Sequence, residues 1–593
     1  MAASSSLSSL SRTPTPYSRY YTADESASIH ADLEDVTDIS SPGEAADQDY
    51  GLKAPYRDAR ALPDELKHRC QIHIEEQTYV AALNLLNTLL CDGISHADAS
   101  TKPGSIPPPA QLSVLATLAI HPKHTSKITN LDPHDVASLS LSYLRNVLAM
   151  VGPVNARLRD AFLFRTEGTR RRRSSNDFHR SGFESDEEQI RGKMAGGGSV
   201  WARGQDFWKV LGWAFNCSAL YPHRWRWWKP WLEYVVDVLE ADYEERKRLD
   251  EESAGKNQHC EYALLQESLL VAYIMPKTSR SSPVKPIMSA LFADGGSSST
   301  SIYKEVFKNE TKIASKTTKK RKRGLDLDND NFGDYDDDSS TGGSEPPTPE
   351  HQRTSARKVD DFVPWASSSL TETVPLRLRL FALVRNVSKT FERKRTALTR
   401  LQLSRAVDDV PDKCGIKVSE LYEKFVDKIA YLPLTVFSRF IASLHNHLDV
   451  VSVVAILQVL MPYLLLPAAP DPRNVDPEAT KHDSVSPLIL EKCYLPFAYK
   501  AAENNAKLSI VNETLFRVLW TEGKGCLKWT PSLQAAVEKG VKARLDKSAP
   551  RKNSRKDDGE NTARDMLRSS GNRLLAIADL LKLQESERKS ETT

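Results

Sequence analysis

Residues 201–243 read WARGQDFWKVLGWAFNCSALYPHRWRWWKPWLEYVVDVLEADY and hold seven of the chain's ten tryptophans: Trp201, Trp208, Trp213, Trp225, Trp227, Trp228 and Trp231. Burying one indole side chain removes ~150–250 Å² from water, worth at most ~4–6 kcal/mol. No other segment concentrates so much burial, so the fold is read outward from here. Asp206 is placed to cap a helix over 207–220 that is apolar on every side, with Phe207, Leu211 and Phe215 on one face and Val210, Trp213 and Cys217 on another. Such a helix sits at the centre of a domain. Gly212 costs about 1 kcal/mol of helix propensity against alanine and marks a close approach by a neighbour. Pro222 is expected to end this helix and Pro230 to fall in the first turn of the next, which runs to about Arg246. There Trp228, Trp231, Leu232, Val235, Val238 and Leu239 recur at helical spacing as the buried stripe, while Glu233, Asp237, Glu240 and Glu244 form the wet side. Trp208, Trp213, Phe215, Trp231, Leu232, Val235 and Leu239 are therefore the expected core.

Between the two helices, cations alternate with rings: Arg224, Trp225, Arg226, Trp227, Trp228 and Lys229. One reading is a stacking surface for single-stranded nucleic acid. The other is an interhelical corner whose indoles plug the core while Arg224, Arg226 and Lys229 keep their heads in water. The second is preferred, because the flanking helices need partners and nucleic-acid binders carry more than one such patch.

On either side the same helical spacing recurs. Upstream it runs through Ile72 to Leu90, Leu112 to Ile120, Val136 to Val151 and Asn155 to Phe164, with a Pro-rich loop over 102–109. Downstream it runs through Tyr262–Ile274, Leu376–Leu403, Leu421–Tyr431, Leu434–Leu448, Val450–Leu466, Leu488–Ala502, Leu508–Trp520 and Leu533–Leu545. No segment alternates as a strand does, so the expected class is all-α: an irregular helical-repeat architecture, HEAT- or armadillo-like, in two blocks with long disordered tails and linkers. No strict repeat period is visible. The expected division is a tail over 1–58, a helical block over 59–165, an insertion over 166–200, the Trp-rich core over 201–307 and a linker over 308–370. A second block over 371–545, a short linker over 546–560 and a terminal amphipathic helix and tail over 561–593 complete it.

The 593-residue chain is 40% hydrophobic, with a mean hydropathy of −0.46 and 33 prolines, which fits ordered blocks separated by disorder. A net charge of +3 confines any nucleic-acid affinity to local patches. The seven cysteines form no CxxC pair and most sit in apolar helical patterns, as buried free thiols of a reducing compartment do. The N-terminus lacks the apolar core of a secretory signal. Residues 450–466 are apolar but short and interrupted by Ser452, Gln458 and Pro462, so they read as a buried helix and no membrane association is expected.

The linkers carry the regulatory signals. Lys319, Lys320, Arg321, Lys322 and Arg323 form a nuclear import signal in a polar context. Ser174 follows four arginines, Ser185 precedes acids, Ser282 lies in Ser-Pro-Val-Lys and Thr348 precedes Pro349; these are candidate phosphosites. The aspartates of 326–338 imitate a calcium loop, but Asn331 stands where glycine is required and Asp337 where glutamate is expected, so the tract is read as a spacer or a patch for basic partners. His445 and His447 have no nearby Cys or carboxylate to complete a ligand set. No catalytic motif, metal site or cofactor fingerprint is present. The expectation is a non-enzymatic nuclear scaffold or adaptor of eukaryotic type, binding nuclear proteins in chromatin or chromosome maintenance and regulated by phosphorylation. The alternative is a single-stranded DNA- or RNA-binding or ribosome-assembly factor using residues 224–229, with Arg393, Lys394, Arg395 and Arg400.

Overall fold

Apolar side chains three and four residues apart line up along one side of a helix, and nearly every segment with that spacing is helical here. The computed structural model describes residues 56–92, 102–127, 133–164, 190–255, 262–275, 282–312, 365, 368–400, 416–465, 469–481, 484–499, 501–522, 527–549 and 558–591. All of them fall within one unit, residues 54–593. The fold is mostly helical. The first part holds α1 (Asp64–Glu75), α2 (Tyr79–Leu90), α3 (Pro109–Leu118), α4 (Pro133–Met150), α5 (Leu158–Phe162) and α6 (Val200–Arg203). The tryptophan helices are α7 (Phe207–Leu220) and α8 (Pro222–Ala254), followed by α9 (Ala263–Gln266), α10 (Leu269–Ile274), α11 (Val284–Leu291) and α12 (Ser297–Ile302). Then come α13 (Ser368–Thr371), α14 (Val374–Arg400), α15 (Val418–Ile429), α16 (Leu434–Ser443), α17 (Val450–Leu464), α18 (Pro472–Val475), α19 (Pro477–Lys481) and α20 (Pro487–Ile489). The chain closes with α21 (Ala502–Glu522), α22 (Pro531–Lys547) and α23 (Asp558–Glu591).

Several expectations need correction. Residues 102–109 are not all loop: β2 (Gly104–Ile106) pairs in parallel with β1 (Ala59–Ala61), Ala59 opposite Gly104. Helix α7 ends at Leu220, ahead of Pro222 as expected, but residues 222–229 do not form a corner. Tyr221 alone connects α7 to α8, Pro222 lies in the first turn of α8, and residues 222–229 are its first two turns. Pro230 lies inside the same helix, where it forfeits one amide donor without ending it. No helix spans 488–502; the helical turns of α20 and of a single wide turn over 490–494 stop at Leu495, ahead of Pro496, whose ring leaves no amide to continue the ladder, and the next helix is α21. The segment 282–312, expected as the end of the Trp-rich core up to 307 and as linker from 308, supplies α11, α12 and the buried side chains of Phe307 and Glu310.

One contiguous cluster of buried apolar side chains runs from Leu62 to Leu581. Trp208, Trp213, Phe215, Trp231, Leu232, Val235 and Leu239 are all buried in it. Trp201 stacks on Phe162 at 4.8 Å, and Trp228 meets Trp231 edge-on at 5.4 Å. Buried indoles need acceptors: Trp231 Nε1 donates to Ala116 O (3.0 Å), Trp208 Nε1 to Tyr273 O (3.0 Å) and Trp201 Nε1 to Ser113 O (3.3 Å). The close approach expected at Gly212 is made by a ring: a Cβ there would lie 2.5 Å from Tyr303 Cδ1.

The tryptophan helices also carry the second half of the molecule. Helix α11 packs on both α7 and α15, and α14 packs on α8. Arg377 of α14 is buried against the Phe215 ring at 3.9 Å and donates to Leu291 O and to Ala293 O (2.8 Å), closing the carbonyl end of α11. The supposedly wet side of α8 is engaged as well, since Arg379 binds Asp237 (2.8 Å) and Glu240. The terminal helix α23 lies on α21 and α22, burying Leu567, Leu574 and Leu581, and Arg573 forks onto Glu513 (2.7 and 3.0 Å).

Candidate functional site

Successive residues of a helix point about 100° apart, so the run 224–229 cannot present all its cations and rings to one partner. Arg224, Trp225 and Trp228 face inward and are buried; Arg226 is exposed, and Trp227 and Lys229 are half-buried. Arg226 stands over the Trp227 ring at 5.6 Å. The six residues therefore do not form one nucleic-acid surface, and Arg224 does not keep its head in water as expected.

Arg224 is held instead by Glu310. Both side chains are fully buried, with Arg224 Nη2 2.7 Å and Nε 2.9 Å from Glu310 Oε2. Arg224 Nη1 donates to Thr125 Oγ1 (2.7 Å) and Nη2 to Ile120 O (2.8 Å). Trp228 Nε1 donates to Glu310 Oε2 (3.3 Å), while Oε1 accepts the Val306 and Phe307 amides at 2.9 and 3.1 Å. This knot ties three separate stretches together: residues 120–125, the start of α8 and residues 306–310.

A cleft of about 250 Å³ opens beside the knot. His121, Lys123 and Lys127 line it from the turn after α3, Arg203 from the end of α6, and Phe307 and Lys308 from the stretch Glu310 holds. No acidic residue lines it. Lys123 Nζ donates to the neutral Gln77 Oε1 (2.7 Å). His121 packs edge-on against Phe307 at 4.8 Å. Its Nδ1 accepts the Lys123 amide (3.2 Å), which places the ring hydrogen of the neutral form on Nε2. Burial, then the charges of His124, Arg203, Arg224 and Lys123, lower the His121 pKa to about 3. Burial, then Lys123, lowers that of His124 to about 4. Both rings are thus neutral at physiological pH. The arrangement gathers cationic and neutral donors around one cavity, which suits an anion.

Sequence reasoning missed this cleft. Its four cations come from three separate stretches, 123–127, 203 and 308, and Lys308 and Glu310 fall in the expected linker. The local signal is His121-Pro-Lys-His124, which directly follows the helix expected over Leu112 to Ile120.

The other expected sites are dispersed. Ser282 is exposed ahead of α11, and its Oγ donates to Glu420 Oε1 (2.9 Å). Lys319–Arg323, Ser174, Ser185, Thr348 and the aspartates of 326–338 lie outside the described residues. Arg393 is exposed on α14; of Lys394, Arg395 and Arg400 only the helical backbone is described. His447 is half-buried and His445 exposed, and among the described residues no group of His, Cys, Asp or Glu is placed to hold a metal ion. Cys70, Cys217 and Cys493 are buried, and burial pushes the Cys70 thiol up to about 11. Among the described residues no helix is long and apolar enough to cross a membrane.

One surface feature stands apart from the cleft. Tyr431 is 80% exposed and Tyr463 42%, with their rings edge-on at 6.4 Å. The Tyr463 hydroxyl donates to Asp427, and that bond lifts its pKa to about 12.

No family model, curated protein or solved structure matches the chain.

Proposed function

We propose that this protein is a non-enzymatic nuclear scaffold or adaptor that holds partner proteins on its helical body, in chromatin or chromosome maintenance, under control by phosphorylation. The observation that carries the reading is the exposed Tyr431–Tyr463 pair. Tyrosine is enriched among the residues that dominate binding energy at interfaces, because it offers a large rigid face and a polar tip. Here one ring is tethered through Asp427, so little conformational freedom remains to be lost on binding. The cation run Lys319–Arg323 supports the nuclear assignment. The architecture is read as an irregular helical repeat of HEAT or armadillo type, because neighbours in sequence such as α1–α2, α3–α4 and α7–α8 pack as pairs.

The test is affinity capture from nuclear extract with the full chain and with Tyr431→Ala/Tyr463→Ala. Both rings are exposed, so the melting temperature should hold while at least one captured protein is lost. An unchanged set of partners refutes the tyrosine pair as the docking point. The runner-up, direct binding of single-stranded nucleic acid, is kept by the Arg226–Trp227 contact on the outer side of α8. Loss of retention on single-stranded DNA in Arg226→Glu would favour it. Arg224 is no use for that purpose, because substituting it breaks the buried knot.

A further inference from the structure

We infer that the cleft between His121 and Lys308 is a binding site for a phosphate monoester, carried on a serine or threonine of a partner protein. The phosphate chemistry stands on the cleft alone; the carrier rests on the protein-binding reading above.

Charge comes first. Lys123, Lys127, Arg203 and Lys308 all line a cavity of about 250 Å³ that no carboxylate lines. No ion pair forms at any of these four among the described residues, whereas the nearby Arg224 is matched by Glu310. Four cations converging without a counter-charge repel one another, and a dianion with several acceptor oxygens relieves that repulsion. Construction comes second. The cavity is not a chance gap between side chains, because its opposite walls are fixed by one buried ion pair: Arg224 holds the 120–125 stretch through Ile120 and Thr125, and Glu310 holds the Phe307 amide. Prepositioned walls reduce the ordering cost of binding. Donor type comes third. Neutral His121, with its hydrogen on Nε2, adds an uncharged donor to the lysines and the Arg203 fork, and Arg203 can meet two phosphate oxygens at once.

A polynucleotide is the less suitable occupant. Its phosphates are strung along a backbone, so its binders spread cations along a groove and offer open rings for base stacking. Here the cations face one cavity and the Phe307 ring is buried.

The experiment measures binding of a fluorescent peptide with one phosphoserine between neutral residues to the full chain by anisotropy. Unlabelled unphosphorylated peptide, inorganic phosphate and an oligothymidylate serve as competitors. The phosphopeptide should bind, and the unphosphorylated peptide should not displace it. Arg203→Gln/Lys308→Gln should bind at least about tenfold more weakly with an unchanged melting temperature, since both side chains are exposed. Lys308→Arg should retain binding, which keeps the test decisive if the double variant is unstable. Equal binding by the double variant overturns the site. Displacement by inorganic phosphate at the same concentration as by phosphopeptide overturns the peptide-borne assignment in favour of the free ion. Stronger displacement by the oligothymidylate overturns it in favour of nucleic acid. None of these readouts involves Tyr431, Tyr463 or a nuclear partner, so this inference and the scaffold reading fail separately.

Discussion

Arg224 and Glu310 are the residues whose removal should be felt most. Each would cost several kcal/mol to bury alone, and the pair persists because every strong donor and acceptor direction is met by protein. Glu310→Ala is therefore expected to destabilise the fold by about 3–5 kcal/mol, since a guanidinium is left buried without its counter-charge. The double variant Arg224→Met/Glu310→Leu should cost less than Glu310→Ala alone, because neither charge remains to be desolvated. Urea titration of the wild type and these two variants measures this; a double variant that loses as much as Glu310→Ala, or more, would show that the two residues do not act as a unit. Half of this pair was open to sequence reading and half was not. Arg224 stood in a run of rings that drew attention to it. Glu310 stands in Lys-Asn-Glu-Thr-Lys, a polar string with no apolar spacing, and its partner is 86 positions away. A contact of that range is encoded by the fold as a whole, not by neighbours in the chain.

Elements were legible in proportion to the apolar side chains they carry. Helices α7 and α8 announced themselves because indoles at helical spacing leave little choice of burial, and α16 did so through Val436, Phe437, Phe440 and Ile441. Helix α12 did not, because Ser297–Ile302 is mostly hydroxyl side chains that read as a loop. Yet α12 delivers Tyr303 onto α7, and that meeting is where the glycine of α7 is explained. Gly212 costs helix propensity, and a side chain at that position would collide with the Tyr303 ring at 2.5–2.6 Å. Gly212→Ala should therefore destabilise by about 1–3 kcal/mol, although alanine is the better helix former, because the ring must move within a packed core. Gly212→Ala/Tyr303→Leu should recover part of that loss. A stabilising Gly212→Ala, read as a higher melting temperature, would mean that α7 and Tyr303 do not meet as described.

At the scale of the whole molecule, the two helical blocks read in the sequence share their interior. Arg377 closes the end of α11 while lying on Phe215, Arg379 binds α8, and the buried cluster runs without a break from the first block to the terminal helix. Local proton uptake should therefore be felt globally, and the neutral histidines beside the cleft make that measurable. His121 and His124 titrate at about 3 and about 4 in the fold, against an ordinary 6.5 in the unfolded chain. Below 6.5 the unfolded chain takes up protons that the folded one refuses, so their stabilising contribution is fully present above that pH and is lost as pH falls toward 4 and then 3. The groups facing His121 are all basic, namely His124, Arg203, Arg224 and Lys123, so no carboxylate offsets the loss. Calorimetry should show one main transition whose midpoint falls between pH 7 and pH 5, and His121→Gln/His124→Gln should flatten that fall while lowering the midpoint at pH 7 only through lost packing. Two well-separated transitions, with only one of them moving with pH, would mean that the halves unfold independently and that the shared interior does not couple them.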